Sequence, residues 1–132
     1  MLKNRLGAMV LISSLILVVI PMTVGAEPYK KIINETDNGK TISVKTGDVL
    51  DVRLPTTAGT GYSWHLDLSD GLHLIDTNNY ASDSIKYGGS RIQEFVIKAA
   101  ATGIQKVKGI YKRSWEKETG NESIFMVNIN VV

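Results

Sequence analysis

Beyond residue 26 the apolar positions of this chain recur at every second residue, and no useful length repeats them at helical spacing. In residues 49–54, Leu50, Val52 and Leu54 point one way while Asp51 and Arg53 point the other, which predicts a half-buried strand. Residues 29–33 and 41–45 read as two earlier strands, with Asp37-Asn38-Gly39 as a tight turn between them and Thr46-Gly47-Asp48 as the next. Tyr62, Trp64 and Leu66 alternate with Ser63, His65 and Asp67 in a fourth strand, and residues 72–80 form a weaker fifth. Phe95 and Ile97 share one face of 93–98, and 104–112 is a long strand. In the last strand Phe125, Val127, Ile129 and Val131 alternate with Met126, Asn128 and Asn130. Loops are expected over 55–61, 81–90 and 113–121. Seven or eight short strands, with turn signals roughly every 8 to 12 residues, predict an all-β sandwich in preference to a barrel. Its inner faces would carry Val52, Trp64, Phe95 and Ile129, with Trp64 near the centre. The second tryptophan, Trp115, falls outside the alternation.

The first 26 residues follow another pattern. Lys3 and Arg5 precede an almost continuous apolar run over 8–20, and Val24-Gly25-Ala26 offers small residues where a signal peptidase reads. A secretory signal peptide cut after Ala26 is expected, exporting the domain to a secreted or extracytoplasmic location. An uncleaved anchor is the alternative, because residues 6–24 approach the roughly 20 needed to span a bilayer. Removal of 26 of the 132 residues leaves 106, one domain. The leader holds two of the 15 basic residues and none of the 13 acidic ones, so the remainder carries 13 of each and no net charge. The chain's basicity therefore belongs to the leader and gives no support to nucleic-acid binding. With no cysteine there is no disulfide, thiol nucleophile or thiolate metal site.

Catalytic chemistry finds little to work with. Nucleophilic catalysis needs a hydroxyl or thiol beside a general base that a third group orients. The two histidines, His65 and His73, both sit in alternating strand segments, and neither lies near a Gly-x-Ser-x-Gly elbow. A zinc site from His65, Asp67 and His73 would match no recurrent ligand spacing. No glycine-rich phosphate loop links a strand to a helix. The chain is expected to be no enzyme and to need no cofactor or metal. Asn34-Glu35-Thr36 and Asn121-Glu122-Ser123 fit the N-glycosylation pattern, which marks them as surface candidates.

Three connections carry a stronger signal. Between Leu54 and Trp64 the chain runs through Thr57, Ala58, Gly59, Thr60, Gly61 and Tyr62, small and hydroxyl-bearing residues that let the main chain approach a partner closely. Gly88, Gly89, Ser90 and Arg91 form a second glycine-rich connection. Arg113, Ser114 and Trp115 place a cation and an indole at a loop, and both are residue types enriched at interface hot spots. In a sandwich whose strands run up and down, alternate loops gather at one end, which brings these three together.

In these segments the chain resembles the chagasin family of cysteine protease inhibitors. That family's first loop reads Asn-Pro-Thr-Thr-Gly-Tyr/Phe, commonly followed by a residue and Trp. Here the register falls on Thr57-Ala58-Gly59-Thr60-Gly61-Tyr62 with Trp64 in place, so the last three motif residues match. The second loop, Gly-x-Gly-Gly, falls on Gly88-Gly89-Ser90-Arg91 and keeps its first glycine. The third, Arg-Pro-Trp/Phe, falls on Arg113-Ser114-Trp115 and loses the proline. The resemblance implies an immunoglobulin-like sandwich with Greek-key connections. It also implies a monomeric, tight-binding reversible inhibitor that occludes the cleft of a papain-like, cathepsin-type cysteine protease. Gly59 and Thr60 would enter beside the catalytic Cys and His, Gly88 and Gly89 would take one flank, and Arg113 and Trp115 would grip the other. A secreted immunoglobulin-like module for carbohydrate or a surface protein is the alternative function.

Overall fold

The computed structural model describes residues 14–21, 27–82 and 90–132. Eight strands follow in order: β1 (Lys30–Asn34), β2 (Thr41–Val44), β3 (Val49–Thr57), β4 (Tyr62–Leu68), β5 (Leu72–Ala81), β6 (Ser90–Ala99), β7 (Gly103–Arg113) and β8 (Ser123–Val131). They form two four-stranded sheets, β1-β3-β6-β5 and β2-β8-β7-β4. The predicted sandwich is present. Each sheet is mixed, because β1 lies parallel to β3 and β2 lies parallel to β8. The connection between β1 and β2 therefore crosses from one sheet to the other. A 3-10 turn, Glu35–Asp37, stands ahead of the predicted Asn38-Gly39 turn and is capped by Asn34.

The alternation seen in the sequence becomes the core. Leu50, Val52 and Leu54 of β3 and Phe95 and Ile97 of β6 face Val107 of β7 and Phe125, Val127, Ile129 and Val131 of β8, all buried. Burial of each such side chain contributes about 1.5–3 kcal/mol. Trp64 departs from expectation. It packs against this cluster from the flank and is only partly buried, since its strand β4 is the outer strand of its sheet. The β5 strand overhangs: from His73 to Ala81 every residue is exposed.

Two further expectations are corrected. Pro55 does not begin a loop, because β3 continues to Thr57 and Pro55 pairs with Ile92. Proline cannot donate to a ladder, but β1 stops opposite Arg53, so from there β3 has a neighbour on one side only. Asp51, expected to face water, is completely buried on the outer face of the first sheet. Its Oδ2 accepts from Lys30 Nζ at 2.9 Å and from Arg53 Nη2 at 2.8 Å, and Arg53 Nε also donates to Glu94 at 3.2 Å. Burial opposes ionisation of Asp51, yet the hydrogen bonds from Arg53 and Lys30 outweigh it and hold the carboxyl below its usual range.

Strand register gives the molecule two poles. Thr57 pairs with Ser90, Ala81 with Arg91, and Tyr62 with Arg113 at one pole. Lys30 pairs with Val49, and Val131 with Gly103, at the other.

Candidate functional site

The pole where β3, β5 and β7 end carries the first and third of the segments singled out in the sequence, with Ser90 and Arg91 opening β6 beside them. The first loop is shorter than predicted, because Thr57 closes β3 and Tyr62 opens β4. Gly59 and Gly61 between them have φ of 80° and 77°, a left-handed backbone that side chains with a β-carbon rarely adopt. The loop is held by its own threonines. The Thr60 hydroxyl donates to the Thr57 carbonyl at 2.9 Å and accepts from the Tyr62 amide at 3.3 Å. The Thr57 amide donates to the Tyr111 hydroxyl at 3.2 Å, tying the loop to β7. Ala58 and Gly59 form an exposed apex.

Arg113 is the last residue of β7, and a hydrogen bond from the Glu116 amide to its carbonyl, 3.2 Å, closes a four-residue turn. Ser114 and Trp115 occupy the two central positions of that turn. Trp115 is 70 % exposed, as its place outside the alternation requires. It is not free of the protein, however. Its ring lies over Gly61 so closely that a β-carbon there would overlap it.

Arg113 is expected to reach outward, and its side chain turns back instead. Its Nε donates to the Thr60 carbonyl at 3.0 Å and its Nη1 to Glu116 Oε1 at 3.1 Å. Its guanidinium lies 4.7 Å from the Tyr62 ring centre and 6.0 Å from that of Trp115. Tyr62 stacks at 5.4 Å on Tyr111, which stacks at 5.0 Å on Trp64. One pile of side chains thus runs Trp115, Arg113, Tyr62, Tyr111, Trp64 across the pole. Its base is fixed, since Trp64 Nε1 donates to the Pro55 carbonyl at 2.9 Å. The Gln93 side chain also bridges the Trp64 amide and carbonyl at 2.8 and 3.0 Å, joining the two sheets.

The second connection is placed differently from expectation. Ser90 and Arg91 belong to strand β6, and Arg91 donates to the Asn79 side chain at 3.0 Å. Gly88 and Gly89 lie outside the described residues, as does the predicted cleavage site at Val24, Gly25 and Ala26. Tyr111, Glu116 and Gln93 stand outside the predicted set, although all three organise the pole. In the sequence Tyr111 is legible only as a strand residue; its pairing with Trp64 comes from the register of β4 and β7.

Among the described residues no catalytic constellation accompanies this geometry. Ser63 Oγ lies 3.3 Å from His65 Nε2, but both lie on the outer face of β4, and no third side chain orients the imidazole among the described residues. Nor, among them, do three His, Asp or Glu side chains converge as metal ligands. Below the third loop, Glu122 is held ionised by the Thr119 amide and then by its own amide, the Thr119 hydroxyl and the Gly120 amide. These bonds depress its pKa and fix the return into β8.

Comparison with known proteins places this pole in context. Residues 43–129 match the model of the chagasin family of peptidase inhibitors, I42. The chain is similar to chagasin of Trypanosoma cruzi, 22 % identical over 101 residues that cover 72 % of this chain and 92 % of chagasin. It is similar to amoebiasin-2 of Entamoeba histolytica, 28 % identical over 109 residues covering 76 % of this chain and 83 % of that protein. The crystal structure of EhICP2, a cysteine protease inhibitor of Entamoeba histolytica, superimposes with a TM-score of 0.71 at 24 % identity, over 82 % of this chain and all of that one. With most of its sandwich matched in order, the chain belongs to the chagasin family of peptidase inhibitors, a family of inhibitors and not of enzymes.

Proposed function

We propose that the loop-bearing pole is a wedge that blocks the active-site cleft of a papain-like cysteine protease. The observation that carries this is the joint construction of the first and third loops. A narrow apex of Ala58 and Gly59 stands beside an exposed indole, and both are braced from behind by Thr60, Arg113 and Tyr62. EhICP2, which shares the fold, is a cysteine protease inhibitor, and that supports the choice of target class.

In this mechanism Thr57, Ala58, Gly59, Thr60, Gly61 and Tyr62 form the central arm, which enters beside the protease's catalytic Cys and His. The apex offers mainly backbone, and the two left-handed glycines bend it away from the extended form a protease cleaves. Trp115 covers one flank and stacks on an aromatic surface of the enzyme. Ser114 sits beside it at the turn, and Arg113 lies behind. Gly88, Gly89, Ser90 and Arg91 take the other flank. Inhibition is reversible and steric, with no covalent bond, cofactor or metal. A nanomolar complex corresponds to about −12.3 kcal/mol, and such pairs usually bury about 1,600 Å². The leader makes the inhibitor an exported one, acting as a monomer in a secreted or extracytoplasmic setting.

The test is titration of the domain beginning at Glu27 against papain with a small peptide substrate. Stoichiometric loss of activity that is regained on dilution is expected. Full papain activity at micromolar inhibitor, or digestion of the chain, would remove the wedge and favour a binding module for carbohydrate or a surface protein.

A further inference from the structure

We infer that Arg113 is a positioning residue that assembles the wedge before any protease arrives, an inference that rests on the function proposed above. Two of its three guanidinium nitrogens are already committed within the chain. Nε is bonded to the Thr60 carbonyl on the first loop, and Nη1 to Glu116 on the third. Its flat surface lies against Tyr62 at the foot of the first loop and toward Trp115 on the third. Arg113 therefore hydrogen-bonds both arms of the wedge at once, the first at Thr60 and the third at Glu116. A group so engaged is already oriented by the chain itself, whatever its remaining N–H groups meet.

The chemistry is particular to arginine. A planar fork can bond a carbonyl, meet a carboxylate and lie on aromatic rings in one fixed geometry, whereas a lysine supplies only a point charge. The Glu116 partnership alone is an exposed pair and holds little. Its effect is to orient a guanidinium whose firmer contacts are the Thr60 carbonyl and Tyr62. The bracing matters because the turn at Ser114 lacks the stiffening that a proline would give it. Ser114 follows the first residue of the turn, the position at which proline is favoured in such turns. No hydrogen bond from the Ser114 amide is formed among the described residues, so proline there would cost no bond. Without either device, only the assembled fraction of molecules would bind, and the apparent affinity would fall by that fraction.

Arg113→Lys, with and without Ser114→Pro, tests this by two readouts: papain inhibition kinetics and amide hydrogen exchange over 57–62 in the free protein. Arg113→Lys is expected to speed exchange at Gly61 and Tyr62 several-fold and to raise the inhibition constant about tenfold, chiefly through slower association. Adding Ser114→Pro is expected to recover most of the lost inhibition. Unchanged exchange in Arg113→Lys would overturn the inference. So would a loss of inhibition that appears in dissociation and is untouched by Ser114→Pro, because that is the signature of a direct contact. If the unmodified protein leaves papain active, the wedge itself fails, and the exchange comparison still decides whether Arg113 joins the two loops.

Discussion

Trp64 and Trp115 sit at opposite ends of one pile of side chains, yet their surroundings have little in common. Trp64 has its indole N–H on the Pro55 carbonyl, its backbone bridged by Gln93 and its ring against the core. Trp115 is 70 % exposed and rests on a glycine. The body of the sandwich is held by burial, with residues such as Leu50, Val52 and Ile129 fully enclosed. The pole is held by stacking and by bonds that water can reach. Interfaces place large amphipathic side chains where they are supported but not enclosed, so that association, rather than folding, completes their burial. On that view the same residue type serves stability at one end of the pile and recognition at the other.

Substitutions can break this contrast, and the largest effect falls on the body. Trp64→Ala is expected to lower unfolding stability by about 3 kcal/mol, the lower end for truncating a core aromatic because the ring is only partly enclosed. Chemical denaturation reads it, and an unchanged midpoint would remove Trp64 from the framework. Trp115→Ala should leave that midpoint almost where it is but weaken protease binding by about 2 kcal/mol, roughly thirtyfold in the inhibition constant. A loss under about 0.5 kcal/mol would strip Trp115 of its anchor role.

The acid response of the body comes next. The pKa of Asp51 is held below its ordinary 3.8 in the folded protein, so its ionised form contributes stability that is fully present above that value. This contribution disappears as pH falls through the lower folded-state value. Asp51→Asn is expected to cost about 1–3 kcal/mol at neutral pH, since Lys30 and Arg53 lose their buried partner. It should also flatten the fall in stability below about pH 4, as read by denaturation across pH. An equally steep acid fall in the variant would show that other carboxylates govern it.

Gly61→Ala should act through the pole. The new methyl displaces the Trp115 ring and strains a left-handed residue, raising the inhibition constant about fivefold to tenfold and lowering unfolding stability by about 1–2 kcal/mol. Unaltered inhibition would mean that the seat of Trp115 on Gly61 has no bearing on binding.

Much of the body was legible because alternation reports burial directly. Leu50, Val52, Leu54, Phe95, Ile97, Phe125, Val127, Ile129 and Val131, which the period-two pattern sets on one face of their strands, are all buried. What the pattern could not supply was pairing. Pro55 looks like a breaker until β1 is seen to stop opposite Arg53, and Asp51 looks solvated until Lys30 arrives from another strand. At the pole the exposed Trp115 could be read from the sequence, because a tryptophan outside the alternation has no core position to fill. The inward turn of Arg113 could not, since it depends on the Thr60 carbonyl 53 residues away along the chain. Tyr111 and Gln93 escaped notice for the same reason: their partners, Thr57 and Trp64, are neighbours only across strands.

The placement of the two poles has a practical corollary. Lys30 and Val131 both lie at the end opposite the loops, where the Val49 amide bonds the Tyr29 carbonyl and the Val132 amide bonds the Val44 carbonyl. Chain attached before Lys30 or after Val132 leaves away from the loops that follow β3 and β7. The domain can therefore be mounted on a surface, joined in tandem or fused to a carrier by either end, with the loops after β3 and β7 still presented outward.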